Sequence, residues 1–293
     1  MDALYSLLSQ KLKKRMNAII IGCGYVGSAV AQHWRNLGHV ITATTTTQDR
    51  IGELQKVANQ AIVLKRCDEE TLKTILQNQD VVFLSLAPTA NQQVDSDMYE
   101  ETYLHTANNL VLALKHFPNI KQLIYTSSSG VYGNSNGAWV SELSPVAPTD
   151  RHAEILHETE QVLLSASSQD LKVCIFRLAA IYGPDREFKK RLSGLAGTTR
   201  PGTGNHFTNW IHRDDIVSAS ELALARQLQG VYNVVNDVPI TARELFKQLC
   251  DRYELPEVEW DGSDTTKRSN SRRISNQKLK AEGYQLIHPE VEI

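Results

Sequence analysis

Apolar runs rich in β-branched residues recur along the chain: "NAIIIG" from Asn17, "HVITAT" from His39, "AIVLK" from Ala61, "DVVFLSLA" from Asp80, "QLIYTS" from Gln122, "KVCIFRLA" from Lys172 and "GVYNVV" from Gly230. Between them the apolar positions switch to a helical repeat. Continuous apolar strands alternating with helices predict a parallel sheet covered on both faces, a doubly wound α/β fold. Two stretches break the alternation. Residues 183–209 are rich in Gly, Pro, Arg and Lys, and the chain after Pro239 turns helical and charged. Together they are expected to form a small C-terminal lobe at the carboxyl ends of the strands, where ligands of open α/β sheets bind.

"IIIGCGYVGSAV" places Gly22, Gly24 and Gly27 in a GxGxxG spacing between the first strand and the first helix. Such a spacing suits a dinucleotide: the first glycine allows a tight turn, the second lets backbone approach a pyrophosphate, and the third permits close helix packing. Tyr25 and Val26 supply backbone N–H groups at the helix start, and Leu86 and Ala87 stand at the exit of the fourth strand. The sheet is therefore read as Rossmann-type. An acid about 20 residues past the glycines would bind a ribose 2'-hydroxyl. Instead Thr44, Thr45, Thr46 and Thr47 fall there, followed by Gln48, Asp49 and Arg50. Hydroxyls and a nearby arginine accept a 2'-phosphate that an acid would repel, so the pattern favours NADP over NAD through Thr45, Thr46 and Arg50. Asp49 remains an alternative acid, and Arg50 an ordinary helix-start residue.

The expected organisation is an N-terminal extension at 1–15, a dinucleotide-binding domain at 16–182 and 210–238, and a small substrate lobe at 183–209 and 239–293. With 293 residues, 41% hydrophobic and 22% charged, the chain is of ordinary globular composition and can bury a sizeable core. A formal charge of -2 offers no basic footprint, which argues against nucleic acid as a partner. The four cysteines, Cys23, Cys67, Cys174 and Cys250, show no metal or redox spacing, and the start of the chain lacks a signal-peptide pattern. A cytoplasmic protein with reduced thiols and no membrane association is expected. The histidines lack ligand spacing, so no metal is expected.

Four ordered motifs, "GCGYVG", "TSSSGVYG", "RLAAIYGPDR" and "NWIHRDDI", resemble the extended short-chain dehydrogenase/reductases, including the NAD-dependent epimerases and dehydratases of nucleotide sugars. The resemblance runs from Met16 through "VYNVVNDVPITARELFKQL". It implies that Ser128 hydrogen-bonds the reacting oxygen. It also implies a Tyr-x-x-x-Lys pair on the following helix, with the tyrosine as acid/base. Here the chain departs. Aligning Glu160 with the family's downstream acid puts His152 in the tyrosine place and Leu156 in the lysine place, and residues 140–171 contain neither Tyr nor Lys. Loss of a positioned acid/base removes about 10²- to 10⁴-fold in rate. The chain thus resembles the atypical members that keep the glycine motif and lose the pair.

Two residues are candidates to fill the gap. His152 brings an imidazole, a group that needs no lysine to act near neutrality, and Tyr132 offers a phenol; the resemblance implies that Tyr182 lines the nicotinamide pocket. Each also has an ordinary reading, as a surface histidine or as packing tyrosines. Lys189, Lys190, Arg191, Arg200, Lys267, Arg268, Arg272 and Arg273 fall in the two lobe segments, where they either line a site for an anionic small-molecule substrate or are merely solvated. His212 and Asp215 of "IHRDDI" are read as structural. The leading expectation is an NAD(P)-binding oxidoreductase or epimerase acting on a carbonyl, alcohol or nucleotide sugar. The alternative is a non-catalytic dinucleotide sensor. The resemblance further implies a homodimer through the helices expected at 97–116 and 151–168.

Overall fold

The computed structural model describes residues 15–88, 95–263 and 270–293; residues 1–14 of the expected extension at 1–15, and the cations Lys267 and Arg268, lie outside them. All seven apolar runs become strands of one sheet. The strands are β1 (Asn17–Ile21), β2 (Val40–Thr45), β3 (Gln60–Val63), β4 (Val81–Leu84), β5 (Gln122–Ser128), β7 (Lys172–Leu178) and β12 (Gly230–Val234), in the order β12-β7-β5-β4-β1-β2-β3. From β5 to β3 every neighbouring pair is parallel, with Ile19 beside both Thr42 and Val82, and Phe83 beside Ile124. The order reverses between β1 and β4, which makes their carboxyl ends the topological switch point.

The chain divides into two compact units: residues 1–127, 150–176 and 217–231, and residues 128–149, 177–216 and 232–293. The second unit therefore takes in more of the chain than segments 183–209 and 239–293 alone. In the first unit, helices α1 (Tyr25–Asn36), α2 (Ile51–Val57) and α3 (Glu69–Ile75) alternate with the strands. Helix α4 (Ser96–Glu100) continues through a π-helical turn at Glu101–His105 into α5 (Thr106–Leu114), and α6 spans Arg151–Ser165. Helix α1 shows why this alternation packs. Its buried residues Val26, Val30, Ala31 and Trp34 recur at helical spacing, and the fully buried Trp34 meets Phe83 edge-on with ring centroids 5.6 Å apart. Asp150 caps α6 by accepting from the Ala153 N–H at 2.9 Å.

The second unit is built from short pairings, β6 (Trp139–Val140) with β15 (Arg273–Ile274), β8 (Ala180–Tyr182) with β11 (Trp210–His212), β9 (Thr199–Arg200) with β14 (Glu259–Trp260), and β10 (Phe207–Thr208) with β13 (Ile240–Thr241). Its helices are α7 (Phe188–Leu192), α9 (Ala242–Tyr253) and α10 (Gln277–Ala281), while α8 (Arg213–Arg226) begins here and ends in the first unit. Tyr182, Phe188, Ile240, Leu245, Phe246 and Leu249 form its apolar core. Helix α9 starts on a capping box, Thr241 with Glu244.

Candidate functional site

The glycine motif forms the turn from β1 into α1. Gly22 adopts φ +83°, and a Cβ there would sit 2.3 Å from the Ser85 carbonyl oxygen just past β4. Only glycine satisfies both conditions. A Cβ on Gly27 would approach the Gly22 carbonyl to 2.7 Å, so that glycine sets how closely α1 lies on the turn. Gly24 differs from both: a Cβ on it would meet nothing within 4 Å. Its side faces open space, and the α1 N-terminus beyond it carries no side-chain cap and no acid in its first turn. A helix start without a side-chain cap, beside an open glycine, is suited to an anion.

A cavity of about 310 Å³ opens at this point, within the first unit. Gly22, Gly24, Thr45, Thr46, Arg50, Leu86 and Ala87, all singled out in the sequence, line it together with Cys23, Lys65, Arg66 and Cys67. Thr44 builds the wall, its hydroxyl accepting from the Gly22 N–H at 3.0 Å and its carbonyl from the Cys23 N–H at 2.9 Å. The Thr45 hydroxyl accepts from the Thr47 N–H at 3.3 Å, and Arg50 pairs with Glu53 at 3.2 Å. Sequence reading passed over Lys65 and Arg66, because only the β2–β3 pairing brings the exit of β3 beside that of β2. The one carboxylate among the described residues of the lining, Glu101, is paired with His105 at 2.5 Å. Burial raises the Cys23 thiol to about 11 and also raises Cys67, so both stay protonated and offer no thiolate.

The three serines of "TSSSGVYG" have three different surroundings. In the first unit Ser127 donates to the fully buried Glu160 at 2.6 Å, tying β5 to α6. Ser128 and Ser129 belong to the second unit, where with Gly130 they line a cavity of about 540 Å³ shared with Leu178, His206, Asn209 and Arg272. The Ser128 hydroxyl accepts from the Gly130 N–H at 3.1 Å and keeps its own hydrogen to donate.

His152, in the first unit, stacks on Tyr99 with ring centroids 4.4 Å apart, and its buried Nε2 has no partner among the described residues. Leu156, one turn on, is buried. In the second unit Tyr132 is only 1% exposed and donates its hydroxyl to Asn233 at 2.8 Å, with the Arg177 guanidinium 4.8 Å from its ring centroid. Tyr182 is 2% exposed in the apolar core, donates to the Glu290 carbonyl at 3.1 Å and accepts from Asn236 at 3.4 Å. Both phenolic hydrogens are thus committed to protein acceptors, and burial raises both phenols.

His212, Asp215 and His288 converge, with one potential ligand atom from each lying within 4.8 Å of the others. Their partners describe a clasp. Asp215 is fully buried and accepts from the Tyr284 hydroxyl at 3.0 Å, the Ile287 N–H at 2.6 Å and the His288 N–H at 3.1 Å. The His212 and His288 rings stack at 3.7 Å, and His288 reaches Glu292 at 2.7 Å. The carboxylate thereby fixes the last turn of chain onto the second unit.

A parallel doubly wound sheet with a glycine turn at its switch point defines a Rossmann-type α/β protein. The model of the NAD dependent epimerase/dehydratase family matches residues 18–235, and the chain belongs to that family. Protein YeeZ of Escherichia coli strain K12 is 30% identical over 224 residues, covering 73% of this chain and 76% of its own. A functionally unknown conserved protein from Silicibacter pomeroyi superposes with a TM-score of 0.76 at 23% identity, covering 94% of this chain and 95% of its own. MoeE5, solved in complex with UDP-glucose and NAD, superposes with a TM-score of 0.77 at 20% identity over 93% of this chain and 94% of its own. At these identities the two structures establish the fold. Among the described residues no helix is long and apolar enough to cross a membrane.

Proposed function

We propose that this chain binds a nicotinamide dinucleotide in the first unit's cavity, with NADP preferred over NAD, and acts on a small-molecule carbonyl or alcohol taken by the second unit's cavity. The carrying observation is the open side of Gly24 beside the uncapped start of α1, in a cavity whose rim bears Arg50, Lys65 and Arg66. A pyrophosphate fits the helix start that no side chain caps. A 2'-phosphate fits three cations better than a free hydroxyl does, since no acid ends β2. MoeE5 was solved with NAD, which supports the dinucleotide class; the preference for NADP rests on this chain's own cations.

When bound, the dinucleotide supplies hydride chemistry. This chain's residues then have defined tasks. Ser128 donates its hydroxyl hydrogen to the substrate oxygen, while the Gly130 N–H holds the serine oxygen in place. With Leu156 in the lysine place and no tyrosine on α6, the proton-handling group of the resembling family is replaced, and His152 is the imidazole that stands in its register. A second reading, a dinucleotide sensor without turnover, draws on the buried Nε2 of His152 and the committed hydroxyls of Tyr132 and Tyr182.

Fluorescence titration with NADPH and NADH tests the binding, followed by turnover against aldehydes, ketones and nucleotide sugars. NADPH is expected to bind about tenfold more tightly than NADH, as one charge-assisted contact of about 1.4 kcal/mol gives. Turnover that falls in Ser128→Ala supports the enzyme, and tight binding without any turnover supports the sensor. No binding of either dinucleotide at millimolar concentration refutes both.

A further inference from the structure

Of the cations in the lobe segments, several have protein partners of their own. Lys189 lies over the Tyr253 ring at 4.5 Å, Arg191 donates to the Ile181 carbonyl at 2.8 Å, and Arg273 donates to the Gly137 carbonyl at 2.8 Å between Trp139 and Phe207. Arg272 stands apart. It is 7% exposed, and its Nη1 donates to the Gly133 carbonyl at 2.6 Å. Its Nε–H is buried with no partner among the described residues.

Arg272 also lines the cavity of about 540 Å³ that holds Ser128 and Ser129, a volume ordinary for a small-molecule site. No carboxylate appears among the described residues of that lining. A guanidinium cannot shed its proton, and burying one without a counter-charge costs several kcal/mol. Burial does pull Arg272 below its ordinary value, and the group acting against that pull is the Tyr132 phenol, not an acid. A buried cation facing a polar cavity without a counter-ion is a site awaiting an anion.

We propose that the second unit's cavity takes its substrate by a carboxylate, received by the Arg272 guanidinium. The inference rests on reading that cavity as the substrate site and gives the substrate class a definite chemistry. Charge count selects carboxylate over phosphate. Arg272 is the only Lys or Arg among the described residues of the lining, so of these it neutralises a carboxylate but leaves a phosphate dianion half-compensated. Its Nη1 bond to the Gly133 carbonyl fixes the guanidinium in the wall of that cavity. Ser128 and Ser129 stand in the same lining to meet the rest of the molecule.

Calorimetric titration of the full chain with matched acid and neutral pairs tests this: pyruvate against pyruvamide and glucuronate against glucose, with inorganic phosphate as the rival oxyanion. At least one acid is expected to bind about 10- to 100-fold more tightly than its neutral partner. That margin should vanish in Arg272→Gln and survive in part in Arg272→Lys. Should Arg272→Gln fail to fold, the wild-type acid-to-neutral ratio decides, read with hydrogen-exchange protection of residues 128–133 and 270–273. Equal binding of acids and neutral partners, no binding of any acid, or phosphate bound above every carboxylate overturns the proposal. NADPH titrated into the same samples separates the two readings. Arg272-dependent acid binding without NADPH binding keeps this inference and removes the dinucleotide, and NADPH binding without acid preference does the reverse.

Discussion

Two glycines of one motif should respond oppositely to the same substitution. In Gly22→Ala the new methyl must occupy a residue at φ +83° and sit 2.3 Å from the Ser85 carbonyl oxygen. The backbone conformation costs about 1–2 kcal/mol, and forcing β1 and β4 apart about 1–3 kcal/mol more. Roughly 2–5 kcal/mol of lost stability lowers the melting temperature by about 5–15 °C in a chain of this size. In Gly24→Ala the methyl meets nothing within 4 Å, and φ is already -85°. Stability should change by less than about 1 kcal/mol, since the reduced freedom of the unfolded chain offsets any local cost. The same methyl, however, stands where a pyrophosphate would approach the α1 N-terminus. Losing one or two charge-assisted hydrogen bonds, about 2–4 kcal/mol, weakens NADPH binding by about 30- to 1000-fold. Differential scanning fluorimetry and NADPH fluorescence titration on the two variants read both quantities. A Gly24→Ala protein that binds NADPH like wild type would refute the pyrophosphate assignment, and an unshifted melting temperature in Gly22→Ala would refute the close-approach argument.

Further expectations follow from the same geometry. Lys65→Ala should weaken NADPH about 5- to 20-fold, an exposed charge-assisted contact, and leave NADH within about twofold; equal losses for both cofactors would remove Lys65 from the 2'-phosphate. Asp215→Ala strips the acceptor from Tyr284, Ile287 and His288 and should cost about 3 kcal/mol, with earlier proteolysis of the C-terminal segment. A change under about 1 kcal/mol in urea unfolding would show that the clasp is dispensable. Stability should fall as pH drops below 6.5, because burial holds His39, His206 and His212 below that ordinary value. The unfolded chain then binds protons that the folded one refuses, so stability present above the unfolded value is lost on acidification. The raised Asp215 carboxyl acts in the opposite sense, from an ordinary value of 3.8 that lies lower on the scale. Melting temperatures between pH 7.5 and 5.5 check the sign, and a flat or rising trend would contradict it.

Much was settled by the chain itself. Strand and helix periods are local properties, so the seven apolar runs and the doubly wound sheet they imply could be read directly, and they form the sheet in the expected places. The glycine spacing was equally legible, since φ and close approach constrain residue type at single positions. The absence of Tyr and Lys between 140 and 171 needed no coordinates either. Other features depend on residues far apart in sequence and so waited for the fold. Lys65 and Arg66 reach the cavity only because β3 pairs beside β2. Ser127 and Ser128 are neighbours in sequence, yet alternation along a strand and the turn after it send one to Glu160 and the other to a cavity wall. Tyr132 read as a candidate phenol and Tyr182 as pocket lining until their partners, Asn233 and Glu290, tied up their hydrogens. Arg272 sat among the basic residues of the lobe segments with nothing local to distinguish it. Burial without a counter-charge marks it, and burial is decided by the whole packed chain.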